Sequence, residues 1–121
     1  MAGSSDLKPM PRMPWYPRDF AASTRTWPFI ARAIYRELLD VSWDVGGLPA
    51  ESETLRAMLG VSVGDWRKAC PLVMAKFIAG DDGLLRNSRL EHHRQEARTL
   101  QAKRTESAIE AARRRWGNRD A

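Results

Sequence analysis

The clearest hydrophobic pattern in the chain lies between Pro28 and Trp43, where apolar residues recur every three or four positions. Charged residues mostly fill the positions between them, so the pattern predicts an amphipathic helix with one face on a core. Thr26 is a suitable N-cap, and Pro28 fits the first turn. The apolar positions of this predicted first helix are Ile30, Ala33, Ile34, Leu38 and Val41.

Two further helices are predicted after a Gly-Gly break. The second helix covers roughly residues 51–59 and ends at Gly60, which suits a left-handed terminator. The third begins at Ser62, because Asp65 three residues later forms a capping-box-like start. Pro71 interrupts its apolar line and predicts a kink or an early break. Two helices joined by so short a turn form a helix–turn–helix pair.

Two short extended runs, residues 77–80 and 84–88, flank an Asp-Gly turn and predict a small β-hairpin. Residues 47–49 are placed to add a short third strand beside it. Residues 89–116 contain no Pro or Gly and predict a long helix with a thin apolar stripe. The order predicts a mainly α fold, a winged helix of three helices and a β-hairpin wing, followed by a long basic C-terminal helix.

The N-terminal segment is predicted to lack a helix up to residue 17, because four prolines remove backbone donors and fix φ. Trp15 and Tyr16 are large apolar side chains that we expect to hold this segment on the core. The segment lacks the basic-then-apolar layout of a secretory signal. We therefore divide the chain into a flexible Pro-rich leader (1–14), a winged-helix domain (15–90) and a basic C-terminal helix or tail (91–121).

The positive charge of the chain is concentrated at one end. The net charge is +5, and residues 89–121 contain nine basic and five acidic residues. Such an asymmetry favours a polyanionic partner. The chain has no apolar run of 18 residues, so no membrane span is expected. A single cysteine, Cys70, excludes an internal disulfide and fits a reducing bacterial cytoplasm.

Catalytic and metal-binding patterns are not found in the sequence. His92 and His93 are adjacent and would point about 100° apart on a helix, which prevents them from sharing one ion. Asp81 and Asp82 lack the spaced oxygens of a calcium loop. No GxSxG elbow and no phosphate loop with GK[ST] occurs. We expect no enzyme activity, no metal and no cofactor.

Basic residues in three predicted elements are candidates for DNA contact. Arg67 and Lys68 lie early in the third helix, where a recognition helix meets the major groove. The wing and the C-terminal helix would meet phosphates. For each residue, a solvated surface charge is an equally good explanation. The wing and tail candidates are Arg86, Asn87, Arg89, Arg113, Arg114 and Arg115, and Trp116 is a candidate anchor for a partner protein or a base.

Short motifs follow one another in a characteristic order across residues 15–117. They are Trp15-Tyr16-Pro17-Arg18-Asp19-Phe20, Thr24, Tyr35-Arg36-Glu37-Leu38-Leu39-Asp40-Val41-Ser42-Trp43, Gly46-Gly47-Leu48-Pro49, Leu59-Gly60-Val61-Ser62, Trp66, Asp82-Gly83, Arg89-Leu90 and Ala112-Arg113-Arg114-Arg115-Trp116-Gly117. This order resembles the YdaU-type domain of phage and prophage proteins. The resemblance implies a winged-helix module of replication initiation. Two features depart from the pattern: Ala33-Ile34 replaces an expected small residue, and the chain ends after the basic segment, where longer members continue.

Three hypotheses follow for the function. The first is a double-stranded DNA-binding winged-helix protein of phage replication or regulation. The alternative is a phage protein that binds and inhibits a host complex, for example as an anti-CRISPR or another counter-defence inhibitor. The third is an oligomerisation helix at residues 89–116, which would make the chain a homodimer, although its apolar stripe is interrupted for a coiled coil.

Overall fold

The computed structural model of the protein describes residues 9–117. This part of the chain is mainly helical, with five α-helices and one two-stranded antiparallel hairpin. The predicted helices, the hairpin and the long C-terminal helix are all present, and one further helix precedes them. In chain order the elements are α1 (Pro17–Thr24), α2 (Phe29–Val45), α3 (Ser52–Leu59), α4 (Val63–Met74), β1 (Ile78–Ala79), β2 (Leu85–Arg86) and α5 (Ser88–Gly117).

Helix α1 is the element that the sequence pattern did not predict. Pro17 occupies its first turn, where the missing N–H costs nothing, and Asp19 adds a favourable negative charge there. Thr24 ends the helix, and its buried hydroxyl donates to the Phe20 carbonyl at 2.8 Å. The leader prolines therefore prevent a helix only before residue 17.

Residues 9–16 run along the core without regular structure. Met10 and Met13 pack against the buried cluster, and Trp43 Nε1 donates to the Pro11 carbonyl at 2.7 Å. Gln101 Nε2 donates to the Pro9 carbonyl at 3.0 Å. These contacts place residues 9–14 against α2 and α5. The predicted flexible leader also includes residues 1–8, which lie outside the described residues.

Helix α2 is the central helix of the fold, since it contacts both α4 and α5. Its N-cap is Pro28, so the predicted cap at Thr26 was wrong. Gly46 ends it in the left-handed conformation at φ 86° and donates its N–H to the Ser42 carbonyl. The buried residues follow the spacing of one helix face and are Ala31, Ile34, Tyr35, Leu38, Leu39, Ser42 and Trp43.

Helices α3 and α4 form the predicted pair joined by a tight turn. Gly60 takes the left-handed conformation at φ 67°, and Arg56 Nη1 donates across the turn to the Val61 carbonyl at 2.7 Å. The Ser62 hydroxyl accepts from the Asp65 N–H at 3.1 Å, which confirms the predicted cap of α4. The helix continues past Pro71 and ends three residues later, at Met74.

The hairpin pairs Ile78 with Arg86 and Ala79 with Leu85. Leu48 adds an isolated antiparallel bridge to Leu85, with both backbone hydrogen bonds at 2.9 Å or less. Residues 47–49 therefore lie beside the hairpin, as predicted, although the pairing extends over one residue only. Leu48 is fully buried, so this bridge anchors the hairpin to the core.

Helix α5 runs parallel to α2. Asn87 contacts Tyr35 near the start of α5, and Arg94 contacts Trp43 two turns later, so the two helices run in the same direction. Helix α2 ends at Val45, whereas α5 continues to Gly117. At about 1.5 Å per residue, α5 is roughly 45 Å long and its last four turns extend past α2. Across residues 9–117 no helix has the length and apolar character needed to cross a bilayer.

Candidate nucleic-acid interface

Helix α4 exposes two basic residues directly after a buried tryptophan. Trp66 is 6% exposed, and its Nε1 donates to Ser52 Oγ at 2.7 Å, which fixes α4 against the start of α3. The buried positions of α4 follow Trp66 at helical spacing, so Arg67 and Lys68 point outward. Within residues 9–117 neither side chain makes a hydrogen bond, ion pair or ring contact. We call Arg67 and Lys68 the α4 basic pair.

Arg86, predicted to meet phosphate, is occupied within the fold. Its two terminal nitrogens donate to the Asp82 carboxylate at 3.0 and 2.8 Å, and its Nε donates to the Gly46 carbonyl at 2.8 Å. Hydrogen bonds from the Arg86 side chain, and then from the Leu84 N–H, lower the pKa of Asp82 to about 2. Arg86 therefore fastens the hairpin to the end of α2.

Asn87, also predicted on the wing, has three partners of its own. Its Oδ1 accepts from the Leu90 N–H at 3.0 Å, which is the contact of a helix N-cap. Its Nδ2 donates to the Lys76 carbonyl at 2.9 Å and to the Tyr35 hydroxyl at 3.2 Å. One amide thus joins α5, α2 and the residues before β1, and no donor is left for DNA.

Arg89 connects the start of α5 to the N-terminal elements. Its guanidinium pairs with the Asp19 carboxylate and lies 5.6 Å from the centre of the Tyr16 ring. The Arg89 side chain is 59% exposed, so this surface ion pair contributes little to stability. Of the three predicted wing residues, Arg89 alone keeps a largely exposed cationic group.

Arg94 is a structural residue that the sequence analysis missed. Its side chain is 14% exposed, and Nε donates to the Trp43 carbonyl at 2.8 Å. A cation at the C-terminal end of α2 is stabilised by the helix dipole. A Cβ on Gly46 would lie 2.8 Å from Arg94 Nη1, so the glycine lets the guanidinium approach. The paired glycines at 46 and 47 were the available sequence signal.

The last four turns of α5 carry most of the predicted tail residues. We call residues 102–117 the distal arm; it contains five basic and two acidic residues. Arg114 lies 3.7 Å from Glu110, and Trp116 is 58% exposed. Arg113 follows Arg89 by 24 residues, which is about 36 Å along a helix. The basic residues of the arm are Lys103, Arg104, Arg113, Arg114 and Arg115.

One family model matches this chain, with the description Protein of unknown function (DUF1376), and it covers residues 11–94. The chain belongs to DUF1376. No curated protein and no solved structure matches it. The matched region of this DUF1376 chain includes the leader contacts, α1 to α4, the hairpin and the start of α5. The distal arm lies outside the matched residues.

The described part of the DUF1376 chain offers no metal centre. In residues 9–117 no three His, Cys, Asp or Glu side chains come together in a group able to hold an ion. His92 and His93 each lie near Glu96, at 2.8 and 3.9 Å.

Of the residues predicted to contact DNA, the structure brings Arg86, Asn87 and Arg89 together at the start of α5. It places the distal arm well away from them.

Proposed function

We propose that this DUF1376 chain is a non-enzymatic DNA-binding protein of winged-helix design, of phage or prophage origin, acting in the bacterial cytoplasm in replication initiation or its regulation. The observation that carries the proposal is the α4 basic pair. Arg67 and Lys68 are exposed and unpartnered within the described residues, on the second helix of a helix–turn–helix pair. In such pairs the second helix is the one that enters the major groove.

The contacts of the hairpin change which residues the proposal assigns to DNA. Arg86 and Asn87 hold the hairpin and α5 in place, so they position the wing and do not bind phosphate. Arg89 is paired with Asp19, so Arg67, Lys68 and the three arginines at 113–115 remain as cationic DNA contacts. These five cations give an expected slope of log K against log salt of about −4 to −5.

The test is a fluorescence anisotropy titration of a labelled DNA duplex at several salt concentrations. Replacing Arg67 and Lys68 by Ala is expected to weaken binding and to reduce the slope by about 2 units. Replacing the arginines at 113–115 by Ala is expected to reduce it by about 3 units. A salt response that is flat in the wild type contradicts the proposal.

The matched control is the double variant Arg12→Ala/Arg25→Ala. Both residues are exposed, neither side chain has a partner within residues 9–117, and their loss changes the net charge by the same two units. The control is expected to retain tighter binding than the Arg67/Lys68 double variant. Equal losses in the two variants mean a general charge effect, and the assignment of α4 as the reading helix then fails.

An alternative proposal, inhibition of a host protein complex, is favoured by one observation. Trp116 is a large, 58% exposed apolar side chain beside three arginines, and Trp and Arg dominate the energetics of protein interfaces. A pull-down from nuclease-treated host lysate tests it with Trp116→Ala as the control. If the wild type recovers one stoichiometric protein and Trp116→Ala does not, the result supports the host-complex alternative. If no partner remains after nuclease treatment, the result supports DNA binding.

A further inference from the structure

A cleft lies where the leader, α1 and the start of α5 meet. Its volume open to water-sized molecules is about 80 Å³. A cavity that encloses a benzene ring measures about 150 Å³ on the same scale, so the cleft receives part of a planar ring and leaves the rest in solvent. Five ring side chains line it, and they are Trp15, Tyr16, Phe20, Tyr35 and His93.

The rings of the cleft present flat surfaces in two stacked pairs. Phe20 and Tyr35 have centroids 5.6 Å apart at an interplanar angle of 16°, and Tyr16 and His93 have centroids 5.2 Å apart at 28°. Trp15 lies 5.0 Å from Phe20. Trp15 and Tyr16 are 40% and 45% exposed, so an incoming ring can reach Tyr16 and the part of Trp15 that the Arg36 guanidinium does not cover. Such surfaces favour offset stacking of another aromatic ring.

The cleft also has a polar edge made by Asp19 and Arg89. The pair uses Oδ2 of Asp19 and one terminal nitrogen of Arg89. In residues 9–117, Oδ1 of Asp19 accepts no hydrogen bond, and the other N–H groups of Arg89 donate none. Their side chains are 47% and 59% exposed. The edge therefore offers acceptors directly beside donors.

We propose that this cleft binds a nucleobase, with guanine preferred. The Asp19 carboxylate accepts from N1–H and N2–H of guanine, Arg89 donates to O6, and the aromatic walls stack on the ring. Guanine carries two N–H donors and a carbonyl acceptor side by side along one edge, whereas a phenyl or phenol ring does not. His93, whose Nε2 is buried without a partner in the described residues, is a further polar group of the lining.

The charges around the cleft suit the phosphate that accompanies such a base. The Arg36 guanidinium lies 3.8 Å from the centre of the Trp15 ring, and Arg18 is exposed next to Asp19. Base stacking on aromatic rings beside arginines is the usual arrangement for unpaired nucleic acid. The base belongs either to a free nucleotide or to a single strand, since both present the same edge. This site does not depend on the α4 basic pair.

The experiment is an NMR titration of the full ¹⁵N-labelled chain with GMP, CMP, a guanine-containing single-stranded hexanucleotide and N-acetyltyrosinamide. GMP is expected to give saturable shifts centred on residues 15–23 and 87–93, with affinity at least about fivefold above that of CMP. Tighter binding of the hexanucleotide indicates a single strand, and equal binding indicates a free nucleotide. Saturable binding of the tyrosine amide alone, or no saturable nucleotide binding, overturns the proposal.

Variants separate the polar edge from the general fold. Asp19→Asn removes the carboxylate and is expected to lower GMP affinity about tenfold, because a charge-assisted pair of hydrogen bonds is lost. The matched control is Asp44→Asn, which makes the same change of charge at an exposed site outside the lining of the cleft. Ser23→Leu fills the cleft from the exposed face of α1 and is expected to abolish binding while the helix is retained.

The outcomes also distinguish this site from the proposed DNA surface. Replacement of Arg67 and Lys68 by Ala is expected to leave GMP binding unchanged. Equal GMP affinity for Asp19→Asn, Asp44→Asn and the wild type contradicts the assignment of the polar edge. Unchanged thermal unfolding of each variant shows that a loss of binding does not come from a loss of fold.

Discussion

The basic residues at the end of α2 and those on the outer surface of α4 differ in what surrounds them. Arg86 and Arg94 donate to the carbonyls of Gly46 and Trp43, where α2 exposes unsatisfied acceptors. Arg67 and Lys68 follow a buried tryptophan on α4 and meet no acceptor in the described residues. The same side-chain type is therefore structural in one region and available for binding in the other. The difference arises because Arg86 and Arg94 lie beside the free carbonyls at the end of α2, whereas Arg67 and Lys68 lie beside no helix end that offers them an acceptor.

The largest effect on stability is expected for Gly46→Ala, which changes the end of α2 where Arg94 is bound. An alanine at φ 86° is strained, and its Cβ would press on the Arg94 guanidinium. We expect a loss of about 2–3 kcal/mol in the free energy of unfolding, measured by urea titration. Gly83→Ala is the control, because its φ is 79° but no atom lies within 4 Å of the added Cβ. Equal losses would mean that Arg94 does not depend on the glycine.

Asn87→Ala is expected to be next, with a loss of about 1–3 kcal/mol, because it removes the α5 cap and leaves the Lys76 carbonyl without its donor. Asn87→Ser keeps a capping oxygen and loses the amide donor, so its free energy of unfolding should lie between those of the wild type and the alanine variant. Chemical denaturation measures all three. The same ranking in DNA affinity, without a change in stability, would instead place Asn87 in an interface.

Arg86→Ala compared with Arg67→Ala tests the difference between the two regions directly. We expect Arg86→Ala to cost about 1 kcal/mol of unfolding free energy, since the bond to the Gly46 carbonyl is lost. Arg67→Ala should remain within about 0.5 kcal/mol of the wild type, as is usual for exposed sites without partners. Binding titrations should give the opposite order. If Arg67→Ala is the more destabilising of the two, the comparison is wrong.

The smallest effect on stability is expected from protonation of Asp82 at low pH, which weakens its ion pair with Arg86. The pKa of Asp82 is lowered by Arg86 to about 2, below its ordinary value of 3.8. The Asp82 carboxylate therefore stabilises the fold fully above about pH 4, and this contribution disappears as the pH falls toward 2. Asp82→Asn should lower the melting temperature more at pH 6 than at pH 2, where about half of the Asp82 carboxylates are protonated. A difference that is constant over this range would contradict the ion pair.

Much of the fold could be predicted from local sequence because its helices have clear periods and clear ends. Ser62 caps α4 and Gly60 ends α3 as expected, since both act through neighbours in the chain. Helix α1 was missed because the prolines before it dominated the prediction, although Pro17 is compatible with a first turn. The cap of α2 was misplaced for a similar reason, because Pro28 itself occupies the N-cap.

The candidate site was predicted less well than the fold. Sequence identified both residues of the α4 basic pair and three of the five basic residues of the distal arm. It also assigned DNA contact to Arg86 and Asn87, whose partners at Gly46, Lys76 and Tyr35 lie 11 to 52 residues away. Prediction of the aromatic cleft would also have required knowledge of contacts between distant segments, because its lining comes from the leader, α1, α2 and α5.

The sequence by itself determined four of the five helices of residues 9–117, the hairpin and the concentration of positive charge near the C-terminus. These properties depend on spacing, capping and composition, which act over a few residues. Only the tertiary structure decided which cations have partners, because α2 and α5 run in parallel and bring Arg94 beside the Trp43 carbonyl. A buried cation whose donors all meet acceptors of the fold is not available for binding, and contacts between distant segments decide which cations are of this kind.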